Sequence, residues 1–88
     1  SSSNFSVPSM SVTEAGSTVV IVAFIDDDSS TISSVPSGYT LAVQNGRAGG
    51  SAAIMYKLDA PVGATGTING SWSSSDSLLT YGYIIPPP

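Results

Sequence analysis

Thr18-Val19-Val20-Ile21-Val22-Ala23-Phe24-Ile25-Asp26 carries the strongest strand signal in the chain. Turn-forming residues flank it, Glu14-Ala15-Gly16-Ser17 before and Asp26 to Ser30 after. A short β-branched run bounded in this way is a strand. Side chains alternate across a strand, so Val19, Ile21, Ala23 and Ile25 share one face while Val20, Val22 and Phe24 share the other. Both faces are apolar. One enters a core; the other needs cover, either from a loop or the N-terminal segment, or from an identical subunit or a shell of other proteins. Val20, Val22 and Phe24 are therefore the interface candidates.

Outward from this strand the pattern repeats. Nowhere do apolar residues recur at helical spacing over three turns, and Ser/Gly/Pro/Asn/Asp clusters punctuate the chain every eight to twelve residues or so. Asn4 to Thr13 reads as a strand broken at Pro8, with Phe5 and Val7 on one face and Met10 and Val12 on a face of opposite parity. Proline removes a ladder donor, which assigns this segment to an edge or to a bend between sheets. Thr31 to Val35 is a short strand leading to the turn Pro36-Ser37-Gly38. Tyr39, Leu41 and Val43 are expected inward, and Asn45-Gly46 as a hairpin turn loosened by Gly49-Gly50. Ala52, Ile54, Tyr56 and Leu58 line one face of the next strand, opposite Ala53, Met55 and Lys57. After a loop at Asp59 to Gly63, Thr65 to Ser73 places Ile68, Gly70 and Trp72 together, unless Asn69-Gly70 turns the chain. Leu79, Tyr81, Tyr83 and Ile85 alternate before Pro86-Pro87-Pro88, an extended stop. The expectation is an all-β, two-sheet sandwich of about seven antiparallel strands, as one domain over residues 1–88 with its core in 17–85.

Composition narrows the function. Only 9% of the 88 residues are charged, against about 25% in an ordinary soluble domain. Hydroxyl and glycine residues take their place, as on exposed β-rich modules of fibres and virus particles. A net charge of −4, with Arg47 and Lys57 as the only cations, argues against nucleic acid and against an anionic membrane surface. The longest apolar run, Val19 to Ile25, is far shorter than the roughly 20 residues of a spanning helix. Without Cys or His there is no disulfide, no zinc finger, and no triad or dyad built on imidazole or thiolate. The chain starts without Met, and is expected to be a processed product or a piece of something longer.

Several of these segments together resemble an immunoglobulin-like sandwich module of bacteriophage virion and bacterial surface proteins. In that family a hydrophobic strand, here Thr18–Ile25, precedes a turn matched by Val35-Pro36-Ser37-Gly38-Tyr39-Thr40-Leu41. A small-residue strand ending in an aromatic, a lysine and an apolar residue follows, here Ala52-Ala53-Ile54-Met55-Tyr56-Lys57-Leu58. A Gly-rich loop and a Trp-Ser strand complete the pattern within Gly63 to Ser73. The likeness covers roughly residues 17 to 85, and Tyr39 stands where the family often has Trp. It implies modules that decorate capsids, occur in tail fibres or hang from surface proteins, and it carries no catalytic motif.

Candidate chemistry is sparse. A Ser–Lys dyad through Lys57 lacks any neighbouring group to activate it, and no enzymatic activity and no cofactor are expected. Asp26 and Asp28 have the opening spacing of a calcium loop with Ser30, but the glycine and distal glutamate of an EF-hand are missing. The plainer reading is a solvated strand end. Trp72 and Tyr56 are expected in the core, whereas Tyr81 and Tyr83 are the aromatic residues placed to stack on a glycan. The first functional expectation is a structural protein of the virion surface, a capsid decoration or cement module. Its partner would be the major capsid or another virion protein, with homo-oligomers or many copies on a shell. The second is a tail-fibre or adhesin module binding host glycan, and the third a pilus or fibre subunit pairing through an edge strand.

Overall fold

The computed structural model of the protein describes residues 2–88. Its described residues form nine strands and no helix: β1 (Ser2–Val7), β2 (Ser11–Val12), β3 (Ser17–Ile25), β4 (Ile32–Ser34), β5 (Thr40–Arg47), β6 (Gly50–Ala60), β7 (Gly63–Ala64), β8 (Ile68–Asp76) and β9 (Leu78–Ile85). Two more segments exist than the expected seven or so, because β2 and β7 form a two-residue ladder of their own. All pairings are antiparallel. The sheets run β1-β8-β4, β2-β7 and β5-β6-β3-β9. Pro8 lies where the chain leaves β8 and reaches β7, as expected of a residue that cannot donate to a ladder.

The two larger sheets share one core in a sandwich-like arrangement. Phe5, Val7, Ile68 and Trp72 come from the three-stranded sheet, and Val19, Ile21, Ala23, Ile25, Ala53 and Met55 from the four-stranded sheet. The inner face of β3 is thus the Val19–Ile25 set, and Ile21 and Met55 are fully buried. Each such side chain contributes about 1.5–3 kcal/mol. The buried serines are satisfied: Ser17 Oγ donates to the Glu14 carbonyl, Ser51 Oγ donates to the Asp27 carbonyl, and Ser30 and Ser73 hydroxyls bond each other. The Trp72 indole N–H is buried and has no hydrogen-bond partner among the described residues.

Three local expectations are corrected. The β5–β6 register slips between Leu41 and Val43, which pair with Met55 and Ile54. This bulge at Ala42 reverses the parity of the strand, so Leu41 packs on the core while Val43 is exposed. The hairpin turn falls at Ala48-Gly49, between the paired Arg47 and Gly50, where Gly49 has φ +97°. Asn45 and Gly46 stay inside β5. Tyr56 is half-buried outside the core, because β6 turns its smaller set, Ala53 and Met55, inward. β8, by contrast, runs through Asn69-Gly70 without a turn.

Candidate functional site: an apolar sheet face

The outer face of β5-β6-β3-β9 is built by register. Val20 is paired on one side with Tyr56 of β6 and on the other with Tyr83 of β9; Val22 lies between Ile54 and Tyr81, and Phe24 between Ala52 and Leu79. Two tyrosines flank and shield Val20, whereas Phe24 has the small Ala52 on one side and stays open. Val20 is consequently only 7% exposed although it lies on the outer side, while Phe24 and Ile54 are each 39% exposed. The rim residues are more open: Leu79, Tyr81, Tyr83 and Ile85 on β9, and Val43 on β5, are about half exposed. The Phe24 and Tyr81 rings meet edge to face, with centroids 6.4 Å apart and planes at 87°. That geometry is favourable for aromatic pairs.

The sequence-named residues therefore divide as follows. Val20, Val22, Phe24, Tyr81 and Tyr83 all lie on this one face. Tyr56, read from sequence as core, joins them. Trp72 belongs to the core. Ile54, Leu79, Val43 and Ile85 complete the face, and sequence reasoning missed their role. The signal available was the two-sided apolarity of β6 and β9.

Charge is kept to the ends of the molecule. Asp26, Asp27, Asp28 and Asp76 cluster near the β3–β4 and β8–β9 connections, with Arg47 at the same end of β5. Glu14, Lys57 and Asp59 lie at the other end. At the first end a concavity of about 540 Å³ opens beside the apolar face, lined by Phe24, Ala52, Leu79, Asn45, Arg47 and Asp26 among others. Near the opposite end, Lys57 is half-buried over Gly38 and lines a second cleft of about 320 Å³ with Tyr39, Thr67 and Asn69.

Within the acidic loop the structured carboxylate is Asp27. Its Oδ1 accepts bonds from the Ser29 N–H at 2.9 Å and the Ser29 hydroxyl at 3.0 Å, and Oδ2 accepts from the Ser74 hydroxyl at 2.8 Å. These bonds, the Ser29 backbone N–H foremost, hold its carboxyl below the usual carboxylate range. Asp26 uses its backbone N–H to bond the Ser77 carbonyl. Among the described residues no three His, Cys, Asp or Glu side chains gather in a way that could hold a metal ion. No helix among them is long and apolar enough to cross a membrane. Comparison with known proteins finds no matching protein-family model, no matching curated protein and no matching solved structure.

Proposed function

We propose that the chain is a non-enzymatic structural module of a bacteriophage virion surface, present in many copies as a capsid decoration or cement protein. On this reading the fold is an immunoglobulin-like sandwich whose layers are the β1-β8-β4 and β5-β6-β3-β9 sheets. The observation that carries the proposal is the apolar outer face of the four-stranded sheet. A two-layer sandwich ordinarily keeps its outer faces polar; here aromatic and β-branched side chains occupy the outward positions of three adjacent strands. Such a face serves association, and a low-charge, hydroxyl-rich remainder suits a module turned to solvent.

Antibodies raised against the purified chain provide the test, applied to virus particles from the source of the sequence. Regularly spaced label over the head is the expected result. Absence of label from every particle overturns the virion reading. Label confined to the tail tip favours the second reading, an adhesin that binds host glycan through Tyr81 and Tyr83. Its supporting observation is that both rings are about half exposed, two residues apart on the edge strand β9. Glycan-array binding that Tyr81→Ala abolishes is the outcome that reading requires.

A further inference from the structure

We propose that the occupant of the outer sheet face is a second copy of the same chain, docked face to face about a two-fold axis that runs across the strands. The inference rests on the reading of that face as an association surface, and adds its partner and alignment. Strand register favours this pairing. Ile21 of β3 pairs with Met55 of β6 and with Gly82 of β9, so one row crosses three strands at their midpoints. The outward residues are disposed on both sides of this row: Ile54 and Ala52 against Tyr56 and the exposed Leu58, which stands just before the register shift that sets Ala60 opposite Ser17; Val22 and Phe24 against Val20 and Thr18; Tyr81 and Leu79 against Tyr83 and Ile85. A two-fold axis along the row lays each residue over its mirror in the list, Tyr81 over Tyr83 and Ala52 over Leu58. Self-complementarity of this kind is what an isologous dimer demands.

Shape and charge favour the same alignment. Leu58, 63% exposed, protrudes at one end of β6, and the concavity lined by Ala52, Phe24 and Leu79 lies at the other. The axis brings the Leu58 of each copy over the concavity of its mate. It also sets Arg47, on the rim of that concavity, beside Asp59, which follows Leu58. Rotation about an axis along the strands would instead stack the Asp26–Asp28 and Asp76 ends of two chains on each other, at a cost in repulsion. β5 meets this row at Leu41, near its start, and runs to one side of it. The three strands that overlap, about 4.8 Å apart and eight residues long, give about 400 Å² on each copy and about 800 Å² in all, the size of a weak, transient interface.

Analytical ultracentrifugation of the chain near 100 µM is expected to show a dimer, with Ile54→Lys or Tyr81→Ser raising its dissociation constant at least about tenfold. Circular dichroism of these variants, both altered at exposed positions, reports that the sheets remain. The alignment is read by cross-linking, which the absence of native cysteine makes clean. In Ala52→Cys/Leu58→Cys the two thiols of one chain are about 20 Å apart along β6, beyond a linker matched to the ~10 Å spacing of facing sheets. A covalent dimer from this variant, and none from Leu58→Cys alone, is expected. A wild-type chain that sediments as a monomer overturns the proposal. So does a dimer indifferent to Ile54→Lys, or one captured through Leu58→Cys alone. If the chain is a monomer yet Ile54→Lys removes it from labelled particles, the association face stands and its occupant is a different virion protein.

Discussion

Asp27 shows how one residue ties a loop to a sheet. It accepts two bonds from Ser29 within the β3–β4 loop and one from Ser74 that ties the loop to β8, and all three favour the ionised form. A carboxyl whose folded pKa is depressed contributes stability that is present above its unfolded pKa, about 4, and lost as pH falls through the lower folded value. The melting midpoint is therefore expected to drop on acidification below about pH 4, and to drop less in Asp27→Asn, which has no proton to take up there. Equal slopes in the two proteins would rule the assignment out. Gly82 makes a steric point at the same scale. A Cβ there would stand 2.6 Å from Val7 Cγ1 and 2.9 Å from Met10 Cε. Methionine can swing aside but a branched valine cannot, so Gly82→Ala is expected to cost about 1–3 kcal/mol in urea denaturation, part of it recovered by Val7→Ala. In the sequence Gly82 is only a gap between Tyr81 and Tyr83; that β1 crosses behind it is a tertiary fact no local pattern records.

Among the elements, legibility depended on whether a strand keeps strict alternation and has one obvious apolar side. In β8, Ile68 and Trp72 are two turns of the alternation apart and both are buried, as their spacing indicates. β3 was legible as a strand, and its two faces were correctly separated, but both are apolar, so only the opposing sheet decides which is inside. β6 is harder, because the bulkier set Ile54, Tyr56 and Leu58 faces outward and the core takes Ala53 and Met55 beside Trp72. β5 defeats alternation altogether, since the bulge at Ala42 exchanges its faces and nothing in Leu41-Ala42-Val43 announces a bulge. The same strand misplaced the hairpin turn, and this can be tested. A Cβ on Gly46 would overlap the Asp28 carbonyl and approach Ser51 Oγ to 2.9 Å, whereas one on Gly49 meets open space and suffers only from φ +97°. Left-handed strain costs about 1–2 kcal/mol. Gly46→Ala is expected to be the costlier of the two in urea unfolding, because backbone must move to admit it. The reverse order would return the turn to Asn45-Gly46.

For the molecule as a whole, the question is how a cysteine-free chain of 88 residues is stabilised. A domain of this size buries only roughly 60–65% of the surface its unfolded chain exposes, which leaves a narrow margin. The core between the sheets uses one side of β3, β6 and β9; the other side, also apolar, is covered only in part, by its own cross-strand neighbours, and has more surface to bury. A paired face would turn the two four-stranded sheets into the central layers of a four-layer assembly, with Val20, Val22 and Phe24 enclosed and every acidic loop at an end. Stability then becomes a function of concentration, since dimerisation favours the folded state by mass action. For a two-state dimer of domains this size, well above its dissociation constant, a tenfold rise in concentration contributes about 0.7 kcal/mol per chain and raises the melting midpoint by about 3–5 °C. Ile54→Lys should melt at one temperature whatever its concentration, because lysine on each face opposes its own copy without disturbing the core. A wild-type midpoint equally indifferent to concentration would mean that the sandwich core suffices alone, and that the apolar face is held for a partner of another kind.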